Sequence, residues 1–123
     1  MAPTSPRVEL LWWSGCPSWP RARQIVRDEM AAAGLDPDRL EMREVRNDEA
    51  AAREGFVGSP TIRVDGRDIQ PTDDQPVSLT CRVYRLRDGR ISALPDPADV
   101  REALQRAGIA NVRRSTEEGG AGG

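Results

Sequence analysis

The chain has 123 residues, a formal net charge of −2 at pH 7 and no histidine. Its length predicts one domain, and because it contains no run of about 18 apolar residues it predicts no membrane-spanning helix. The missing histidine excludes an imidazole base or metal ligand in the isolated chain, and the balanced charge argues against nucleic acid or a membrane as its partner.

The first half of the chain predicts the order strand, helix, strand, helix. The pattern changes from a short apolar run, to apolar residues at every third or fourth position, to strict alternation, and back to a helical stretch. Gly34 can end the first helix, while Asn47 can cap the second and Gly55 can end it. We expect these elements over residues 8–13, 18–33, 40–45 and 48–54.

The second half predicts a hairpin, an extra segment and a last helix. Asp65-Gly66 is a strong hairpin signal between two short extended runs. Asp96 and Pro97 are typical of a helix start, and Gly108 can end that helix. We expect strands over 61–64 and 67–69, a loop over 70–80, alternating segments over 81–86 and 90–94, and a helix from 97 to 107.

These elements predict an α/β domain over residues 8–114. A strand–helix–strand unit requires a parallel pair with a right-handed crossover, and the hairpin adds antiparallel strands. We therefore expect a mixed four-stranded sheet with helices on both faces and an extra segment before the last helix. Residues 1–7 contain no signal-peptide-like apolar stretch, so we expect a cytoplasmic protein with a disordered N-terminal arm and a disordered tail over 115–123.

Cys16 lies where the first strand gives way to the first helix. The free amides and dipole of a helix N-terminus lower the pKa of a nearby thiol and so favour the reactive thiolate. The effect depends on the helix start: with Ser18 as the N-cap, Pro20 fits the first turn, but Cys16 then precedes the helix. A small buried hydrophobic residue is the alternative. Gly15 and Pro17 favour the reactive interpretation, because turn residues place Cys16 towards the surface.

Two features together resemble the thioredoxin-like superfamily. One is the strand–Cys16-Pro17–helix turn, and the other is Ser59-Pro60-Thr61, which opens a strand and hairpin. The segment 60–69 is similar in layout to glutaredoxins. The chain also resembles small bacterial thioredoxin-domain proteins, through the Gly-Cys-Pro turn and the Gly-Ser-Pro-Thr strand; some of those proteins carry selenocysteine at the position of Cys16, and some are grouped loosely with alkylmercury lyases.

This resemblance implies roles for several residues. Cys16 corresponds to the nucleophile, Pro60 to a cis-proline that faces it, and Ser59 would offer its backbone to an extended thiol-bearing substrate. The chain departs from the dithiol members at Trp19, where they have a second cysteine. Resolution of a mixed disulfide within the motif is therefore impossible.

Cys81 is the internal candidate for the second sulfur that disulfide exchange needs. If residues 67–69 form the fourth strand, the chain leaves it at the active-site end and can place Cys81 near Cys16. If residues 81–86 form that strand instead, Cys81 starts ~17 Å away, too far for a bridge, which needs Cα atoms within about 7 Å. The Asp65-Gly66 hairpin favours the first layout. A half-buried strand cysteine without a partner is the alternative.

Substrate contacts are expected from residues that surround the two cysteines. These are Trp13, Pro17, Trp19, Ser59, Pro60 and Thr61. Trp12 and its two neighbours can instead belong to the core. Four strand arginines can either surround an anion or lie on solvated strand faces, and the latter suits most of them. They are Arg63, Arg67, Arg82 and Arg85.

We therefore expect a thiol-disulfide oxidoreductase in which Cys16 attacks and Cys81 or a small thiol resolves. Its partners would be protein or small-molecule thiols and disulfides, with a low-molecular-weight thiol as a candidate reductant and with no cofactor and no metal. Arsenate reduction is a variant suggested by the arginines. One alternative is binding of Hg(II), organomercury or As(III) by the two cysteines. Another is a redox-inert thioredoxin-like adaptor that docks a partner through its tryptophans.

Overall fold

The computed structural model describes residues 6–71 and 75–108, so the tail expected over 115–123 lies outside the described residues. The strands are β1 (Val8–Trp12), β2 (Glu41–Glu44), β3 (Thr61–Val64), β4 (Arg67–Asp68), β5 (Tyr84–Arg85) and β6 (Ile91–Ser92). The helices are α1 (Trp19–Ala32), α2 (Asp48–Glu54) and α3 (97–108), with a 3₁₀ helix over Pro37–Arg39. Within the described part, no helix has the length and apolar character needed to cross a bilayer.

Four strands form a mixed sheet in the order β2-β1-β3-β4. The pair β1–β2 is parallel, as the α1 crossover requires, whereas β1–β3 and β3–β4 are antiparallel. The α/β class and the mixed four-stranded sheet are therefore confirmed. The extra segment holds β5 and β6, which pair with each other as a separate two-stranded sheet.

Strand β1 supplies both halves of the core because its side chains alternate between the faces of the sheet. Leu10 is fully buried in a cluster that includes Val26 of α1 and Val100 of α3. Leu11 belongs to a second cluster that includes Ala51 of α2. Helices thus cover both faces, and β1 ends between them.

The predicted helix ends agree with the structure at α1 and α2. Ser18 is the N-cap of α1 and Pro20 lies in its first turn, although the Ser18 side chain makes no capping bond. The Asn47 side chain accepts a hydrogen bond from the Ala50 amide at the start of α2, and Gly55 closes that helix in the left-handed conformation.

Two segments differ from the sequence-based expectation. The strand expected over 81–86 is reduced to Tyr84–Arg85, because residues 80–82 pair with Ser59 instead. Arg7, which we assigned to a disordered arm, exchanges backbone and side-chain hydrogen bonds with Asp65 at the β3–β4 turn. Both differences come from pairing between residues more than 20 positions apart, which local sequence patterns do not encode.

We predict that Leu10→Ala lowers the free energy of unfolding by about 2–5 kcal/mol, because it opens a cavity where β1 meets α1 and α3. Denaturant unfolding measures the change. Ile91→Ala is the matched control, since Ile91 is 69% exposed and its truncation should change stability by less than about 0.5 kcal/mol. Equal effects of the two substitutions would contradict this packing.

Candidate functional site

The turn after β1 is tied directly to the loop before β3. The Cys16 amide donates to the Trp13 carbonyl at 2.9 Å, which closes the turn. The Trp13 amide donates to the Ser59 hydroxyl at 3.0 Å. The Ser59–Pro60 peptide is cis, as the resemblance implied. These bonds bring Cys16 and the Ser59–Pro60 peptide together at one end of the sheet.

The Cys16 side chain is buried, with only 1% of the residue exposed. Its thiol donates to the Ser59 carbonyl at 3.4 Å. The expectation that Cys16 lies towards the surface is therefore wrong, because the loop before β3 lies against its sulfur. We expected the Cys16 thiol to face the free amides at the start of the first helix. It contacts a carbonyl instead, and α1 begins three residues further on, at Trp19.

Cys81 lies beside Cys16 because residues 80–82 pair with Ser59. The Ser59 amide donates to the Thr80 carbonyl at 2.8 Å, and the Arg82 amide donates to the Ser59 carbonyl at 2.7 Å. These two bonds form a parallel bridge centred on Ser59 and Cys81. The layout with β4 over Arg67–Asp68 is thus confirmed, and the alternative with Cys81 at the far edge is wrong. Both cysteines are free thiols, and Cys81 is exposed where Cys16 is buried.

The bridge also corrects the expected role of the Ser59 backbone. We expected Ser59 to offer its amide and carbonyl to an extended substrate. Both groups are already bonded to the protein's own Thr80 and Arg82. The Ser59 hydroxyl is used as well, as the acceptor for the Trp13 amide. The amide, carbonyl and hydroxyl of Ser59 therefore all bond other parts of the protein and hold the loops of the site together.

The pKa of the Cys81 thiol is raised. Desolvation is the largest cause, and the neighbouring Cys16 side chain raises the pKa of Cys81 further. Cys81 therefore stays protonated at pH values where an ordinary thiol begins to ionise. The pair is asymmetric, with an exposed thiol that resists ionisation beside a buried one.

Arg82 anchors the segment that carries Cys81. Its side chain is 1% exposed, and its guanidinium bonds both carboxylate oxygens of Asp68, at 2.7 and 2.9 Å, and the Gln70 carbonyl at 2.6 Å. It also lies over the Tyr84 ring, 4.4 Å from the centroid. Gly58 (φ +136°) permits this approach, because a Cβ there would lie 2.9 Å from the Arg82 Cβ. Sequence reasoning missed this anchor; the signal available was that Arg82 and Tyr84 share one face of an alternating segment.

Tyr84 holds the other side of the same loop. Its side chain is buried and its hydroxyl donates to the Pro60 carbonyl. Burial raises the pKa of the Tyr84 hydroxyl, with Arg82 opposing the shift, so the group stays a donor across the physiological pH range. The hydrogen bond joins the extra segment to the residue that follows Ser59.

Of the other residues expected to contact substrate, three lie at least partly at the surface, namely Trp13, Pro17 and Trp19, whereas Thr61 is buried. The Trp13 ring packs on Gly15, where a Cβ would lie 2.4 Å from it, and Trp19 stacks on Trp12 with centroids 4.2 Å apart. Both are half-buried, and Pro17 is exposed next to Cys16. Thr61 is buried, and its hydroxyl donates inward to the Gly58 carbonyl at 2.6 Å.

The alternative in which four strand arginines surround an anion is not supported by the contacts of two of them. The Arg82 guanidinium is paired with Asp68 inside the protein. The Arg63 guanidinium donates to the Glu54 carbonyl at 2.5 Å and lies 3.7 Å from the Glu54 carboxylate. Two of the four guanidinium groups are therefore bonded to acidic and carbonyl partners within the protein and are not presented together to an anion.

Comparisons with protein-family models, with curated proteins and with solved structures found no match. The chemistry of this site is therefore inferred from its own residues. Among residues 6–71 and 75–108, no group of three or more cysteine or acidic side chains is placed to hold a metal ion. The reactive groups that the fold brings together are the thiols of Cys16 and Cys81.

We predict that Tyr84→Phe lowers the free energy of unfolding by about 1–3 kcal/mol, because it leaves the buried Pro60 carbonyl without its donor. The substitution keeps the ring beneath Arg82, so the change isolates the hydrogen bond. Denaturant unfolding with matched m-values measures it. A Tyr84→Phe variant as stable as the native chain would show that this bond does not hold the loop.

We also predict that Cys81 is alkylated with a pH midpoint above that of an ordinary thiol, about 8.5, because desolvation and Cys16 both oppose its ionisation. Iodoacetamide labelling across pH, followed by peptide mass analysis, measures the midpoint. In Cys16→Ser the midpoint should fall but stay above the ordinary value, since the desolvation persists. A midpoint unchanged by Cys16→Ser would contradict the influence of Cys16 on the ionisation of Cys81.

Proposed function

We propose that this protein is a thiol-disulfide oxidoreductase of thioredoxin-like fold whose redox pair is Cys16 and Cys81. The observation that carries the proposal is the Ser59–Cys81 bridge, which pairs Cys81 with the residue whose carbonyl the Cys16 thiol contacts. The sheet order, the helices on both faces and the cis Ser59–Pro60 peptide beside Cys16 support the thioredoxin-like assignment.

The reaction uses both sulfurs. One cysteine thiolate attacks a substrate disulfide, forms a mixed disulfide and releases the first substrate thiolate. The second cysteine then attacks the protein-side sulfur, forms the Cys16–Cys81 disulfide and releases the second thiolate. The two cysteine protons end on the released thiols. The substrate gains two electrons, the protein pair loses two, and two external thiols return the pair to its reduced state.

This pair replaces the second cysteine that the chain lacks at Trp19. Cys81 comes from a segment 65 positions further along the chain, and the Ser59 bridge delivers it to Cys16. Both thiols are free in this structure and do not lie at disulfide distance. Closing the bond requires the sulfurs to approach to about 2.0 Å.

A second function is favoured by the same geometry, namely capture of a soft metal ion. Two adjacent thiols suit thiophilic ions such as Hg(II) or As(III). No third cysteine or acidic ligand is placed with them in the described part of the chain. Such a site would bind through sulfur alone, without the closed four-ligand shell of structural zinc.

We predict that one equivalent of glutathione disulfide removes both thiols of the native chain together, because the second cysteine resolves the mixed disulfide. Free-thiol titration and intact mass measure this: the expected product has lost two hydrogens and carries no glutathione. Cys16→Ser and Cys81→Ser, each with one thiol, should stop at a stable glutathione adduct.

Two other results would contradict the redox proposal. Native protein that retains both thiols after prolonged treatment is not an oxidoreductase of this kind. Native protein that accumulates two glutathiones has two cysteines that do not resolve one another. Tight one-to-one binding of Hg(II) that needs both cysteines, together with no internal disulfide, would establish the metal-binding function instead.

A further inference from the structure

We propose that residues 79–82 permanently occupy the place beside Cys16 that an extended peptide would need, so that the pair acts on low-molecular-weight disulfides, which enter at Cys81. This inference rests on the proposed function of the Cys16–Cys81 pair. It adds the substrate class and the order in which the two sulfurs react.

The backbone of Ser59, whose carbonyl lies against the Cys16 sulfur, has its amide and carbonyl already bonded. An extended peptide binds a strand edge through main-chain amides and carbonyls. Beside the Cys16 sulfur those groups belong to Ser59, and they are bonded to Thr80 and Arg82 at 2.8 and 2.7 Å. The protein's own segment thus makes the contacts that would give a peptide substrate its affinity.

The occupying segment is held by a buried charge. The Arg82 guanidinium is paired with Asp68 and hydrogen-bonded to the Gln70 carbonyl, with its side chain 1% exposed. A peptide could reach Ser59 only if the Arg82 backbone left it, which would pull this buried guanidinium away from its partners. Removing one member of a buried ion pair from the other is strongly unfavourable. The segment is therefore a fixed part of the site.

The exposure of the two sulfurs decides which one meets the substrate. Cys81 is exposed, whereas Cys16 is 1% exposed and lies against the Ser59 carbonyl. Exchange requires direct access of the thiolate to a substrate sulfur. An incoming disulfide therefore reaches Cys81 first. This reverses the order implied by the resemblance, in which Cys16 makes the first attack.

Each small disulfide is reduced in two exchange steps. Cys81 loses its proton to solvent, and its thiolate attacks one sulfur of the small disulfide, forming Cys81–S–S–R and releasing RS⁻. The Cys16 sulfur then attacks the Cys81 sulfur, forms the internal disulfide and releases a second RS⁻, and the Cys16 proton passes to that leaving thiolate. The first RS⁻ takes a proton back from solvent, so one small disulfide is reduced to two thiols while the protein dithiol is oxidised to the Cys16–Cys81 disulfide.

The first experiment compares the two single-cysteine variants with glutathione disulfide at about pH 8.5, where an ordinary thiol is half ionised. We expect Cys16→Ser to form its adduct at least about tenfold faster than Cys81→Ser, because Cys81→Ser keeps the segment over a buried Cys16. Both variants are also measured in denaturant, where their rates should be similar. Without denaturant, equal rates for the two variants, or a faster rate for Cys81→Ser, would overturn the inference.

The second experiment compares two oxidants with the same leaving group, glutathione disulfide and a mixed disulfide between glutathione and an extended peptide. The native chain should show no preference for the peptide, with rates within about threefold. Arg82→Ala, which releases the anchor, should shift the ratio towards the peptide. Arg85→Ala is the matched control, because Arg85 is exposed and contacts Gln70 through its backbone.

If circular dichroism shows that Arg82→Ala does not fold, Asp68→Asn replaces it, since that change weakens the same anchor without removing volume. A native chain that prefers the peptide by about tenfold, or a folded anchor variant whose ratio is unchanged, would overturn the inference. These failures differ from failure of the proposed function, in which no small disulfide oxidises the Cys16–Cys81 pair at all.

Discussion

The buried pairing of Arg82 with Asp68 is the interaction on which the site depends. A guanidinium removed from water needs partners, and the two terminal nitrogens of this one bond the Asp68 carboxylate and the Gln70 carbonyl, while its plane lies over the face of Tyr84 and its Nε has no hydrogen-bond partner. The Arg82 amide then lies where it can bond Ser59. The electrostatics of one side chain thus fix the backbone position of its neighbour, Cys81.

From this constraint follows the asymmetry of the two thiols. Cys16 is covered and donates to a carbonyl, whereas Cys81 is exposed and has a raised pKa. Two sulfurs in equivalent surroundings would be interchangeable in exchange chemistry, but these are not. The segment that carries Cys81 also bonds the Ser59 amide and carbonyl, so residues 79–82 supply one of the two thiols and occupy the backbone edge beside the other.

Most of the fold was predictable because its signals are local. The alternating and helical patterns, the Asn47 cap and the Asp65-Gly66 turn each depend on a few neighbouring residues, and each agrees with the structure. The site was predictable in part. Cys16, Cys81 and the cis Ser59–Pro60 peptide were identified from the sequence. The Asp65-Gly66 hairpin favoured the layout that brings Cys81 towards Cys16, but the sequence left the layout with a fourth strand over 81–86 open. The burial of Cys16 and the role of Arg82 were not identified, because each depends on contacts between distant segments.

The sequence by itself determined the element order, the mixed sheet and the chemical inventory of two thiols without histidine. Periodicity and turn residues specify these features within windows of a few positions. Only the tertiary structure decided which thiol faces solvent and which segment bonds Ser59. The physical reason is that burial and hydrogen-bond satisfaction are properties of packed surroundings, and the surroundings of Cys16 come from two loops that lie more than 40 positions away in the chain.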